Sequence, residues 1–479
     1  VNIYFIALIA YSVLLIAIGA YAARRVKSAS DFLVAGRRFG PGILFATFLA
    51  ANIGAGSTVG ASGIGYRIGM SAWWWVGSAA IGTMFLSQAV GPKLWRLAKL
   101  HNFQTLGDFL EFRYGKSVKA IIAVLIWAGT LSILAGQLMA IAWILNVVVG
   151  LAKWKGCLAG GIVAISYCAA GGLASSAVVN IFELAVTMSG LLLTIPFALH
   201  TVGGWNGLVA SVVSNAAVKT GSLGPALFNV TGAGAKPILL FASILIPSFI
   251  VSPGLVQKLY GAKDEATVRR GVGLNSIAQA VFAFVPPLFG LLALAKFPSL
   301  ANPELALPTV MMYMVPKWLG LWALASIFSA ELSATDAILF MLSTSLAVDL
   351  YRTFIEPQVG EKKLLAVSRT AAVVGGIAGV ALAIALPSVI AAVSIFYGLL
   401  AVALFVPLIY GLYWKRMNTT GALAAIASAI AAALYVSLRV PGKSVGLFSS
   451  AAVGIITGLV VAAAVSLIAP AKKRAAALS

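Results

Sequence analysis

Charge is the scarcest feature of this 479-residue chain: only 9% of residues are Asp, Glu, Lys or Arg. A soluble domain carries about 25%. Histidine and cysteine are also rare, two of each. With no HExxH, no GxSxG elbow and no Cys/His cluster, a membrane-enzyme reading has no site to stand on. No Walker A motif or appended hydrophilic module is present, so active transport by this chain would draw on an ion gradient rather than nucleotide. The residues Cys157 and Cys168 carry no CxxC spacing and read as small buried hydrophobes. His101 and His200, each without a ligand partner in sequence, read as solvated or capping residues.

What the chain has instead is apolar length. Hydrophobic residues make up 61%, and there are 48 glycines. That excludes a soluble enzyme, a nucleic-acid binder, a disulfide scaffold and a porin-type barrel of short alternating strands. Thirteen apolar segments are long enough to be spans. They run over 1–22, 42–69, 72–98, 118–151, 154–171, 174–201, 236–257, 271–296, 317–350, 364–388, 389–413, 418–438 and 446–469. The first is too long for a signal-peptide core and lacks a basic flank. A chain that starts on Val1 is expected to be less than the whole gene product.

The net charge of +21 is a statement about topology. With the N-terminus outside, 24 of the 33 basic residues fall in inner loops and nine in outer ones. The inner set includes Arg24, Arg25 and Lys27, then Lys119, Lys258 and Lys263, and Lys472–Arg474. That asymmetry follows the positive-inside rule and sets the expected orientation, N-terminus out and C-terminus in, in a bacterial inner membrane. The longest extramembrane stretch is 202–235.

Two spans are interrupted. In LFATFLAANIGAGSTVGASGIGYRIG, the glycines Gly54, Gly56, Gly60, Gly63 and Gly65 crowd the middle, with Asn52, Ser57, Thr58 and Ser62 between them. Glycine costs roughly 1 kcal/mol against alanine inside a helix. The run reads as a broken, site-forming helix or as tight small-residue packing, and the first is favoured. In ILLFASILIPSFIVSPGLVQKLYGAK, the breakers are Pro247, Pro253 and Gly254. Four spans separate the two interruptions, as expected when two five-helix repeats each begin with a broken helix. A third constellation, FSAELSATDAILFM, places Ser329, Glu331, Ser333, Thr335 and Asp336 on an otherwise apolar helix. Carboxylates at that depth are functional by default. Glu183, in VVNIFELAV, is a further candidate. Asp349, near the inner end, reads as a loop or cap residue. Trp73, Trp74 and Trp75 read as an interfacial belt.

With these residues in hand, the chain resembles the sodium:solute symporter family, over about 1–470. The resemblance rests on TLGDFLEFRYG at 105–115, GGLASSAVVN at 171–180, SPGLVQKLYGAKDEATVRRG at 252–271, NPELALP at 302–308 and LFVPLIYGLYWKRMNTTGA at 404–422. It implies an all-α membrane protein of about 13 transmembrane helices with a 5+5 inverted-repeat core like that of LeuT, its first and sixth core helices broken. The implied organisation is one extra helix and loop in 1–41, repeats in 42–201 and 236–413 around the outer loop 202–235, and two more helices and a tail in 414–479. It also implies Na+ as coupling ion, with no organic cofactor.

Carried over by position, the main sodium site is Ala50, Ile53, Ala330, Ser333 and Ala334. Alanine at 334 is a departure, since relatives usually carry a hydroxyl there; Thr335 or a water is the expected substitute. Asn180 stands where some members have an Asp that holds a second sodium, while Asp336 stands at a hydroxyl position. Asn180 and Asp336 are thus a candidate second cation site, with Asp336 as a proton site or a structural hydrogen bond as alternatives. Expected substrate residues are Asn52, Gly56, Ser57, Gln88, Gln137 and Phe249, the last as a gate. No Arg or Lys falls clearly in the middle of a core span, which argues against a substrate held by a direct carboxylate–Arg pair and leaves neutral polar or zwitterionic solutes open. The expected function is sodium-coupled import of a small polar organic solute, with a proton-coupled carrier or a transporter-like sensor as alternatives. The partners expected are the solute and the lipid bilayer, with no nucleic acid and no obligate protein partner.

Overall fold

A computed structural model describes residues 2–23, 35–168, 173–220 and 224–468. The expectations placed on Arg24, Arg25 and Lys27, on Gly171–Gly172 and on Lys472–Arg474 lie outside the described residues, as does the side chain of Cys168. Each of the thirteen apolar segments coincides with a helix or a helix pair. In chain order these are α1 (Ile3–Ala23), α2 (Pro41–Asn52), α3 (Ala61–Ile68), α4 (Trp73–Phe85), α5 (Lys116–Val149), α6 (Lys153–Cys168), α7 (Leu173–Thr201), α8 (Ala235–Val251), α9 (Pro253–Tyr260), α10 (Gly273–Phe282), α11 (Val285–Lys296), α12 (Lys317–Thr344), α13 (Glu361–Ala385), α14 (Val389–Tyr413), α15 (Thr419–Arg439) and α16 (Ser450–Ile468). Among the described residues, nine helices are by themselves long and apolar enough to cross a bilayer. The bent pair beginning with α2 makes a tenth.

The packing is symmetric in a way sequence order alone does not suggest. Helix α7 packs on α12, and α5 packs on α14. Helix α4 packs on α8, and α3 packs on α11. Helix α2 packs on α7, and α8 packs on α14. Exchanging the five spans after residue 41 with the five after 235 turns each pair into the other. That exchange is the signature of two interleaved repeats of one five-helix unit.

Both readings of the glycine-rich run hold, in different parts of it. Helix α2 stops at Asn52, and Ile53 turns extended (φ −99°, ψ 94°). The chain re-enters a helix through a π turn, Gly56–Gly60. Past that point the glycines serve packing: a Cβ on Gly65 would lie 2.6 Å from the Pro287 Cα. Gly69 (φ +60°) makes the tight corner into α4, where its Cα meets the Leu227 backbone. The second interruption falls at the Pro253–Gly254 step, one of the two places expected. Helix α8 continues through Pro247 and breaks only at Ser252 (φ −55°, ψ 117°). Proline at the N1 position then starts α9, where its missing N–H costs nothing.

Three further expectations are corrected. The stretch 202–235 is not loop throughout but holds the helix Gly204–Thr220. Asp349 is no loop residue. It is buried in a π-helical continuation, Ser345–Ile355, and accepts from the Thr105 hydroxyl. Lys119, expected in an inner loop, is buried on α5, 2.9 Å from both Asp108 and Glu111 and 3.8 Å from Asp349. A buried ammonium survives only with such partners.

Candidate functional site at the helix breaks

The break after Asn52 rewires three peptide N–H groups. In a continuous helix the N–H groups of Gly54, Ala55 and Ser57 would reach the carbonyls of Ala50, Ala51 and Ile53. Here Gly54 N–H donates to Ser57 Oγ at 3.0 Å. Ala55 N–H donates to Gln137 Oε1 at 2.8 Å, and Ser57 N–H donates to the Gly54 carbonyl at 2.9 Å. The carbonyls of Ala50 and Ile53 are therefore left without their helical donors. Ser57 is a local cap, its hydroxyl donating to the Asn52 carbonyl at 2.8 Å. Thr58 donates to Glu331 Oε1 at 2.6 Å, tying the π turn to α12.

Helix α12 approaches the break at one point. A Cβ on Gly54 would stand 2.5 Å from the Ala334 Cβ, so no side chain fits there. That contact sets Ala334 against the break, on the helix that also carries Ala330 and Ser333. Ser333 spends its hydrogen on Asn180 Oδ1 at 3.0 Å and keeps its oxygen lone pairs. Thr335 donates back to the Glu331 carbonyl at 2.6 Å within its own helix. A hard cation is bound by such oxygens, carbonyl and hydroxyl together.

The expected solute residues divide. Asn52 Nδ2 donates to Gln279 Oε1 at 3.2 Å, across to α10. Gln137 caps the break from α5, and the Gly56 carbonyl accepts from the Trp75 indole at 2.9 Å. Phe249 is buried one turn before the Ser252 break, its ring 5.2 Å from Tyr397. Tyr397 in turn lies 6.3 Å from Trp75, so a row of rings leads from the first break to Phe249. Gln88 does not belong with them. It is exposed, and its Nε2 donates to Ser87 Oγ at 2.9 Å beside the Arg269 backbone. Its place near the end of the second core span puts it beyond the break.

Sequence reasoning missed several residues. Trp75 is buried and holds a break carbonyl rather than joining a belt. Gln279, which shares α10 with Asn275 and Ser276, and Tyr397 on α14 fell in no motif that marked them. Lys258 was assigned to an inner loop, but it is 3% exposed on α9. Two residues before the end of α9, it is not the loop residue that the charge count took it for. A lysine four residues after an S-P-G interruption, inside an apolar run, was the available signal. Outside the spans, Glu304 is buried against the first residues of α14. It accepts from the Trp143 indole at 2.9 Å, and burial raises its carboxyl above the ordinary range.

Comparison with known proteins identifies the family and the fold. The sodium:solute symporter family profile matches residues 32–429. The sodium/pantothenate symporter of Escherichia coli (strain K12) is 28% identical over 447 residues, covering 88% of this chain and 87% of that one. The sodium/glucose cotransporter of Vibrio parahaemolyticus is 24% identical, covering 89% and 83%. Among solved structures, a Na+-coupled sialic acid symporter in a substrate-bound, outward-open state superposes with a TM-score of 0.80 at 17% identity, over 98% of this chain and 99% of that one. With nine helices among the described residues long and apolar enough to cross a membrane, two interrupted helices and a family match over residues 32–429, the chain is a membrane transporter of the sodium:solute symporter family.

Proposed function

We propose that the chain imports a small polar organic solute, coupled to Na+ entry, by alternating access. The observation that carries this reading is the pair of carbonyls, Ala50 and Ile53, stripped of helical donors beside Ser333 on α12. With the Ala330 carbonyl they form a neutral oxygen set of the kind that replaces a sodium hydration shell. Ala334 supplies a methyl where a further oxygen was expected, and Thr335 is turned to its own helix. A water or a neighbouring group completes the shell.

The solute sits between the breaks, with Asn52, Gly56, Ser57 and Gln137 on one side and the Trp75–Tyr397–Phe249 rings on the other. Amide and hydroxyl groups on an aromatic wall suit a neutral or zwitterionic solute. Its repeats are 42–201 and 236–413, flanked by 1–41, 202–235 and 414–479. The orientation is N-terminus out and C-terminus in, in the bacterial inner membrane. One charge crossing 100 mV releases roughly 2.3 kcal/mol, a concentration ratio of about fifty, so one sodium suffices for accumulation.

The test is thermal unfolding of the purified chain in detergent, in NaCl against KCl and choline chloride at equal ionic strength. A ligand at 100 times its dissociation constant adds roughly 2.7 kcal/mol. A sodium-specific rise that Ser333→Ala removes supports the reading. No sodium effect at any concentration refutes it, leaving a proton-coupled carrier or a sensor. Solute uptake into proteoliposomes separates those two, since a sensor binds without accumulating.

A further inference from the structure

Away from the solute path, a groove runs along the outside of the bundle where α4 packs on α10. Trp73 and Phe85 line it from one side, Ile277, Val281 and Phe284 from the other, and Gln88 stands at one end. Its volume is about 590 Å³, within the range of a small-molecule site. From Trp73 to Gln88 the wall rises about 22 Å at 1.5 Å per residue, most of a hydrocarbon core of about 30 Å. Phe85, Ile277 and Val281 are exposed, so the groove opens on lipid rather than on the protein interior.

The Gln88 end is built differently from the rest. Both walls leave the α-helix there in a π turn, Leu86–Val90 on one side and Val268–Val272 on the other. Such turns recur at functional sites. The two turns hold each other. Arg269 Nη1 donates to the Gln88 carbonyl at 2.8 Å, and Gln88 Nε2 donates back to the Arg269 carbonyl at 3.4 Å. Gly273 makes room for that amide, since a Cβ there would lie 3.2 Å from Gln88 Nε2. Glu265 accepts from Arg269 at 3.2 Å and from Arg96 at 2.8 Å, so two guanidinium ions share one carboxylate. Arg269 spends two of its five N–H groups on these bonds and Arg96 one, on side chains 45% and 69% exposed. The segments 88–101 and 263–272 together carry six Lys or Arg against two acidic residues.

We propose that this groove binds one anionic phospholipid, an acyl chain lying along α4 and α10 and the phosphate held by Arg269 and Arg96. Guanidinium groups with free N–H donors match phosphate oxygens in charge-assisted bonds. The excess of basic side chains selects the headgroup, because choline brings a cation against it and an anionic headgroup does not. The apolar groove selects a lipid over a free phosphate ester, which would leave it unfilled. Gln88, exposed and outside the solute site, marks the point where chain gives way to headgroup. Helices α4 and α10 hold the same place in the two repeats, so the lipid lies along the seam between them. On the orientation proposed above the basic end faces the inner leaflet, and the site stands independently of the sodium reading.

The experiment is native mass spectrometry of the delipidated full chain in detergent. It is titrated with dioleoyl phosphatidylglycerol, dioleoyl phosphatidylcholine or glycerol 3-phosphate. Wild type is expected to retain phosphatidylglycerol about tenfold more tightly than phosphatidylcholine, and glycerol 3-phosphate hardly at all. Arg269→Gln weakens phosphatidylglycerol about fivefold, and Arg269→Gln with Arg96→Gln about 25-fold, with phosphatidylcholine unchanged. Ala280→Phe fills the groove from a half-buried position on α10 and lowers retention of both lipids. Should Arg269→Gln fail to fold, Arg96→Gln alone, on the more exposed side chain, is the second variant and is expected to cost about fivefold. Equal retention of the two lipids, or unchanged phosphatidylglycerol affinity in the folded arginine variants, overturns the headgroup site. Glycerol 3-phosphate bound as tightly as phosphatidylglycerol, or unchanged retention in Ala280→Phe, overturns the lipid in favour of a free anion or another surface.

Discussion

Replacing Ala334 by serine is the sharpest test of the sodium pocket, because it adds one oxygen and nothing else. The Ala334 Cβ already lies against Gly54, and serine keeps that Cβ in place. The new hydroxyl stands next to Ser333 and opposite the Ala50 and Ile53 carbonyls. An interaction between a neutral oxygen and a charged group contributes about 1.5–3 kcal/mol net. Fitting an oxygen into a position 2% exposed costs about 1 kcal/mol at the low end of overpacking. The balance is about 0.5–2 kcal/mol, which is roughly 2- to 30-fold tighter sodium binding at 1.4 kcal/mol per decade. Ser333→Ala removes an existing oxygen and is expected to weaken binding by about 10-fold or more on the same scale. The assay is the sodium concentration giving half-maximal rise in melting temperature, measured with lithium and potassium as controls. Unchanged sodium affinity in Ala334→Ser, with the protein folded, refutes the placement of the ion between the break and α12. A gain in Ala334→Ser without a loss in Ser333→Ala refutes the shared ligand set.

Four more expectations follow from single contacts. Gln137→Leu strips the Ala55 N–H of its acceptor and should lower stability by about 1–3 kcal/mol, read as the melting temperature in sodium; an unchanged value means water takes over the cap. Trp75→Phe removes the indole N–H from the Gly56 carbonyl and should weaken solute uptake into proteoliposomes while leaving 22Na+ binding unchanged; a loss of both would place Trp75 in the ion site instead. Lys119→Met leaves Asp108, Glu111 and Asp349 facing one another and should cost about 3–5 kcal/mol, seen as a large drop in melting temperature. Glu304 binds its proton more tightly folded than unfolded, so stability is highest below the ordinary glutamate range and falls as pH rises through its raised folded value. Glu304→Gln should flatten that fall in a melting-temperature series across pH, and an unaltered slope would assign it to other groups.

Much of the architecture could be read from the chain because the bilayer imposes its own lengths. Thirteen apolar stretches each became a helix or helix pair, since a span of fixed thickness must satisfy its backbone internally. The breaks were legible for a related reason: glycines crowding an apolar run, or an S-P-G step, mark a backbone that cannot stay helical. Of the breakers in the second run, Pro253 and Gly254 end the helix, while Pro247 sits inside a helix that continues through it. Ala50, Ile53, Ala330 and Ser333 could be placed only through family resemblance, because backbone carbonyls leave no trace in side-chain identity. Gln88 and Gln137 looked alike in sequence, each a lone amide on an apolar helix. Where each helix crosses its neighbours separated them, one capping the break and one facing the surface.

Lys258 and Trp75 show the limit most clearly. By composition, lysine near a helix end belongs to a loop, and a run of three tryptophans belongs to an interface. Both assignments are averages over many environments, and both fail when another helix covers the residue. The sequence by itself determined that this is a helical membrane protein and that two of its spans are interrupted. Only the tertiary structure decided which oxygens meet. It brings α12 against Gly54 and buries Lys258 on α9. Such packing joins helices far apart in the chain, and a linear pattern of hydropathy holds no record of that.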